Sequence, residues 1–276
     1  MLPATTGTAF SDTFSEWSGA SRIVATIACW LTWSIGLFGL FAPRPWATTS
    51  LRVIAPLGVV ATIATAWSTD AAVAALAIAT SVLAAALALS APVAAAAGNA
   101  LAYGHEQRFP LRIPTPLLFG PVPLAIAGAG VGTLGGPLLL AAGNSVLGMV
   151  VLVFGLPLAG ILIRSLHSLS LRWLVLVPAG CTVVDPLTLT EPVLMRREHI
   201  THLQRVPGAN LPAGVLDLRL GTVGGGVEVA LNQPIAFGHR RGRTDGEILE
   251  TAALAVAVTG ASQFLARASA SRITTR

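Results

Sequence analysis

Few side chains in this chain are of types that carry chemistry, and they fall in small, separated groups. His105 and Glu106 stand side by side in the segment AYGHEQRFPLR. As a proton-exchanging pair they would need a third partner and a pocket, which Asp185 or His202 would have to supply in a membrane enzyme acting on lipid. His199 and His202 follow Glu198, but residues three apart in a strand point to opposite faces, and no third ligand stands nearby to hold a metal. Gly224-Gly225-Gly226 lacks the Lys-Ser/Thr of a phosphate loop and joins two strand-like runs instead of a strand and a helix. Cys29 lies in an apolar run, and Cys181 enters an apolar strand after a turn, where it reads as a small buried hydrophobe. The two cysteines lie in separate regions and offer neither a disulfide framework nor a zinc spacing. Asp185 precedes Pro186 and sets a turn. The expectation is a chain with no catalytic residue, no metal ligand set and no cofactor.

The arginines are the better candidates. Arg196 and Arg197 lie together in one strand or its exit, and Arg240, Arg241 and Arg243 lie in a turn. A cytoplasmic anionic leaflet would attract each by about 1 kcal/mol, and a protein partner could use the same charges. The bland alternative is a solvated loop balanced by Glu191, Glu198, Asp245 and Glu247. Tyr103, Arg108 and Arg112 form a second group, with the only tyrosine of the chain beside two arginines, as in an interfacial anchor. All 17 basic residues are arginine, a pattern of coding bias that does not argue for nucleic acid. The expected partners are membrane lipids and a protein bound through the C-terminal region.

The elements that must position these groups begin in a membrane. The chain is 54% hydrophobic and only 11% charged, with a mean hydropathy of +0.74, against roughly 25% charged residues in soluble domains. Five spans are expected, at 23–41, 53–67, 71–97, 117–135 and 138–163, each judged against the ~20 residues that cross a bilayer. Pro92 kinks or ends the third, and a tight Gly-Gly-Pro turn at 135–137 separates the last two. Residues 1–22 precede the spans as an extracytoplasmic tail, either a short amphipathic surface segment or a frayed end; 23–163 form the transmembrane domain and 164–276 a cytoplasmic domain.

Orientation follows from the loop arginines, because cytoplasmic loops retain positive charge. Arg44 and Arg52 follow the first span and Arg108 and Arg112 the third, whereas the second connection holds only Asp70 and the fourth no charge. The N-terminus is therefore expected outside a plasma membrane and Arg164 onward inside. Within the spans only Asn144, Cys29 and scattered Ser and Thr are polar, too little for a proton-coupled transporter. Gly128, Gly132 and Gly136 recur every four residues and read as a helix-packing face, between subunits or within the chain. With the bend expected at Pro121 and Pro123, the same face is the basis of an alternative reading as a channel or transporter subunit for a small solute.

Beyond Arg164 the pattern changes to short alternating runs. Residues 173–177 and 181–185 read as a hairpin around Pro178-Ala179-Gly180; Leu216, Leu218 and Leu220 form a strand pairing with Val227, Val229 and Leu231 across 221–226; 234–237 form a further strand. Residues 252–258 read as a last strand, followed by a helix capped by Thr259 or Ser262. The run RWLVLVPAGCTVVDPLTLTEPVLMRREHITHLQRV, with LDLRL, VEVALNQPIAF and the terminal helix, resembles the bacterial pleckstrin-homology-like (PH-like) domains fused to transmembrane helices. The resemblance covers roughly 172–270 and implies a curved antiparallel sheet closed by a helix, serving as a binding or assembly module. The fold class expected is thus an α-helical membrane bundle of about five helices followed by a mostly-β PH-like domain with a terminal helix.

Overall fold

In the computed structural model, which describes residues 2–206, 208, 210–240 and 246–276, the apolar runs are helices whose ends are set by caps and prolines. Helix α1 (Leu2–Ser15) is followed by α2 (Gly19–Phe41), where the Ser18 hydroxyl accepts the Ser21 N–H at 3.3 Å. Helix α3 (Pro45–Thr65) starts on a proline, which has no N–H to waste in a first turn. Helix α4 (Ala71–Ala88) is capped by Asp70, which accepts the Ala72 N–H at 2.8 Å. It stops at Ala88 because Pro92, four residues on, has no N–H for the Ala88 carbonyl; α5 (Ala91–Asn99) restarts the helix after the break. Pro92 therefore ends the third span.

The chain forms two contact units, Met1–Ala94 with Val122–His167 and Ala95–Pro121 with Ser168–Arg276. Five helical stretches are long and apolar enough to cross a membrane: Gly19–Phe41, Pro45–Thr65, Ala71–Ala88, Thr115–Ala141 and Ser145–Ser170. Many of their large apolar side chains face outward, Phe41, Leu124 and Phe154 among them, as a lipid solvent requires. The N-terminal segment is a helix tied to its unit, which excludes the frayed end. Ala9 of α1 is completely buried, and hydroxyl contacts tie Thr5 to Thr80 (3.1 Å) and Thr13 to Ser68 (2.7 Å).

The expected turn at Gly135-Gly136-Pro137 is absent. After β1 (Gln107–Pro110), the fourth span is α6 (Thr115–Leu118), α7 (Pro121–Gly130), a π-helical turn Val131–Gly135 and α8 (Gly136–Ala141) in succession. The wider turn relieves the clash that the ring of Pro137 would make in a regular helix. Thr133 Oγ1 donates to Ala129 O (2.8 Å) and Gly130 O (3.1 Å), replacing backbone donors in the slipped ladder. The reversal comes later, where Gly143 takes φ +86° and the Asn144 N–H reaches Leu139 O at 2.9 Å. Helix α9 (Ser145–Ser170) then crosses back.

The second unit holds two four-stranded sheets. One runs β1-β2-β3-β4, with β2 (Trp173–Val177), β3 (Gly180–Val184) and β4 (Val193–Arg196), all antiparallel. The other runs β5-β7-β8-β6, with β5 (Ile200–Val206), β6 (Leu216–Asp217), β7 (Gly226–His239) and β8 (Glu247–Val256). Helix α10 (Ala261–Ala270) inserts Phe264 and Ala268 into their shared core with Leu174, Val183, Met195 and Leu203; the Phe264 ring meets Phe109 edge-on at 5.1 Å.

Three strand expectations are corrected. Strand β1 arises from the third connection, where a loop was expected. The run at 216–220 is only a two-residue strand, and it pairs parallel with β8 and not with β7, because Leu220 adopts φ 54° and turns the chain. Strand β7 continues through Pro234, at a break in register between Ala230 and Ile235 that spares the missing N–H. Helix α10 is entered through Gly260 at φ 71°, with no side-chain cap from Thr259 or Ser262.

Candidate functional site

Arginines organise the strand-rich unit from inside. Trp173 opposes Val184 across the β2–β3 hairpin, so Arg172 and Asp185 extend the ladder by one step. Their side chains are almost completely shielded, with Arg172 Nε on Asp185 Oδ1 at 2.8 Å and Nη2 on Oδ2 at 2.7 Å. Arg172 Nη1 also donates to Arg112 O (2.9 Å), and the Leu187 N–H donates to Asp185 Oδ1 (3.1 Å). A fork-to-fork pair with its remaining groups satisfied is the geometry in which buried charge is tolerated.

A second closed set lies at 217–219. Arg219 donates from Nε and Nη2 to the two Asp217 oxygens, each at 2.9 Å, and from Nη1 to Gly208 O at 2.6 Å. Burial alone would raise the Asp217 carboxyl; the hydrogen bonds and charge of Arg219 outweigh it and hold it below its ordinary value. The hydrogen bond to Asp217 raises the Arg219 guanidinium in turn. Cys181 is wholly buried, and desolvation pushes its thiol up to about 12, so it is a neutral core group and no nucleophile.

The residues of the third connection occupy different positions. Tyr103 is 91% exposed and lies in a turn whose Glu106 carboxylate accepts its N–H at 3.3 Å. Arg108 sits in β1, donating from Nε to Glu106 Oε1 at 2.6 Å, while Asn99 brackets its backbone with two bonds of 2.9 Å. Arg112 reaches the glycine loop, donating to Val223 O (3.0 Å), Gly224 O (3.2 Å) and Gly225 O. Gly224 has φ +96°, a conformation that favours glycine, and a Cβ there would stand 2.8 Å from Arg112 Nη1 and displace the guanidinium. Burial first, then the charges of Arg205 and Arg219, pushes the Arg112 guanidinium below its ordinary value.

The candidate contact arginines lie on the rim. Arg196 ends β4 with its side chain exposed, 3.6 Å from Glu198; Arg197 begins a short 3-10 turn and donates from Nη2 to Pro178 O at 2.5 Å. Arg240 is exposed and holds the chain by its N–H to Thr188 O at 2.7 Å. Arg241 and Arg243 lie outside the described residues. No hydrogen bond or ion pair among the described residues joins Arg240 to Arg196 or Arg197.

The enzyme constellation does not assemble. Glu106 is engaged by Arg108, and Asp185 is engaged by Arg172. A cleft of about 240 Å³ brings His105 beside Arg197 and Ser271, with neither Asp185 nor His202 in its wall. A second cleft, of about 270 Å³, lies between Arg112, Arg205 and the start of α10. Arg205 is a lone charge in an alternating strand, and no short-range signal marks it in the sequence.

In the helical unit, Gly128, Gly132 and Gly136 face α9. Added Cβ atoms would stand 2.8 Å from Leu162 Cδ1 at Gly128 and 2.9 Å from Leu152 Cα at Gly136, and at Gly132 one would collide with the Gly155 carbonyl. The three glycines form a packing seam within the chain. No family model, no curated protein and no solved structure matches this chain.

Proposed function

We propose that this multi-pass membrane protein is non-enzymatic and presents a cytoplasmic PH-like module that docks a partner protein at the inner face of a bacterial plasma membrane. Two sheets closed by a terminal helix support the PH-like reading at the level of layout. The observation that carries the docking reading is the closure of the charge sets built on the buried Arg172 and Arg219. Arg172–Asp185 and Asp217–Arg219 are structural pairs, so the module has a core and a charged rim, and among the described residues no carboxylate lines either of the two clefts. The loop arginines support the cytoplasmic side.

The alternative, a channel or transporter subunit, loses its main support, because the glycine face is filled by α9 instead of lining a path. The deciding experiment purifies the full chain in mild detergent and weighs what accompanies it. A stoichiometric protein partner is expected with the wild type, weakened about tenfold by Arg196→Glu through reversed rim charge. Recovery of the chain alone, together with solute flux through reconstituted vesicles, would sink the docking reading in favour of transport.

A further inference from the structure

We propose that the cleft of about 270 Å³ between Arg112, Arg205 and the first turn of α10 binds a phosphate group. Two arginines from distant parts of the chain converge on this one cavity, Arg112 from the stretch before α6 and Arg205 from β5. No carboxylate lines it among the described residues, and Arg219, the nearby third arginine, is already neutralised by Asp217. Like charges brought together without a counter-charge oppose folding, and an anion between them removes that opposition.

The lining supplies enough donors for a phosphate. Arg112 commits three of its five N–H groups to the glycine-loop carbonyls, which anchors the guanidinium and leaves one N–H on Nη1 for a ligand. Arg205 is exposed and has no hydrogen-bond or ion-pair partner among the described residues. Gly260 opens α10 without a side-chain cap, so the N–H groups of Ala261 and Ser262 in the cleft wall are free to donate. Guanidinium forks and helix amides together favour a phosphate oxyanion over a single carboxylate. The volume lies just below the ~300 Å³ at which drug-sized pockets begin, enough for a phosphate and a short organic stub. A lipid headgroup and free phosphate share this chemistry.

This site adds a small ligand to the docking module and rests on the fold of the strand-rich unit alone, so its failure leaves the partner-protein experiment untouched. The test follows backbone hydrogen exchange at 222–226 and 260–263 in the full chain held in nanodiscs. One arm titrates inorganic phosphate against chloride at constant ionic strength in phosphatidylcholine discs; the other compares phosphatidylglycerol with phosphatidylcholine discs without phosphate. Saturable slowing is expected in at least one arm, about tenfold when ligand reaches about ten times its dissociation constant. It should vanish in Arg205→Gln, whose exposed side chain supports nothing else, and persist in Arg196→Gln. A response to phosphate in neutral discs assigns the free ion, and one confined to phosphatidylglycerol discs assigns the headgroup. No slowing in either arm, or slowing that survives Arg205→Gln, overturns the proposal.

Discussion

Asp185 holds one of the strand-rich unit's buried charge sets, because it accepts both forks of Arg172 and the Leu187 N–H. Removing its charge leaves a guanidinium unpaired out of water, and such losses typically cost about 3–5 kcal/mol. Asp185→Asn is therefore expected to lower hydrogen-exchange protection of β2 and β3 by that amount in the full chain. Replacing both partners, as Arg172→Met with Asp185→Leu, should recover most of it, since neither desolvation cost then remains. A single variant within about 1 kcal/mol of wild type would show the pair to be dispensable. This contact depends on the length of the hairpin turn, since the three residues Pro178-Ala179-Gly180 expected from the sequence would set Trp173, not Arg172, against Asp185. A two-residue turn at Pro178-Ala179 fixes Val177 opposite Gly180, and stepping back five places on each strand sets Arg172 against Asp185. Locally, Asp185-Pro186 carries only the signature of a turn. The Arg112 clasp was not legible, because its acceptors lie 111 to 113 residues away and are backbone carbonyls, which leave no signature in residue type.

Among the elements, the apolar helices were the most legible, since length and hydropathy alone decide them, and the least legible were those whose limits depend on tertiary partners. The fourth span shows why. Gly135-Gly136-Pro137 has the composition of a turn, yet a π-helical turn and the close approach of α9 keep the chain helical through it. Strand β6 shows the converse, a clean alternation of apolar and charged residues cut short by one positive-φ residue, Leu220. The seam of α7 and α8 against α9 makes a prediction at this scale. Gly132 has no room for even one methyl beside the Gly155 carbonyl, whereas Gly160 on α9 faces open space. Gly132→Ala is expected to destabilise the helical unit by about 1–3 kcal/mol through overpacking, read as reduced resistance to denaturing detergent, and Gly160→Ala to change it little. Equal behaviour of the two would remove the seam as a structural element. The same crowding means that loss of flux in a Gly132→Leu variant would report a broken bundle and not a blocked path.

For the whole molecule, strand β1 supplies a constraint that loop charges alone could not. Residues 107–110 pair with β2, so the third connection and the region after α9 lie on one side of the membrane, and an even number of crossings must separate them. The stretches Thr115–Ala141 and Ser145–Ser170 are two. The arginines at 108 and 112, with the eleven beyond α9 from Arg172 onward, favour the cytoplasm for that shared side. Single cysteines introduced into a Cys29→Ala background test the arrangement at positions chosen for exposure. Tyr103 is 91% exposed beside β1, Trp67 is 93% exposed after α3, and Asn144 is exposed between α8 and α9. Asp70 and Arg108 serve less well, the first because it caps α4 and the second because it pairs with Glu106. Cys181 stays silent while the fold holds, being buried and neutral. A membrane-impermeant maleimide added to intact cells is expected to label Trp67→Cys and Asn144→Cys, and to reach Tyr103→Cys only after the membrane is opened. Labelling of Tyr103→Cys and Asn144→Cys from the same side would break the two-crossing link between β1 and β2, and with it the cytoplasmic position on which the docking proposal depends.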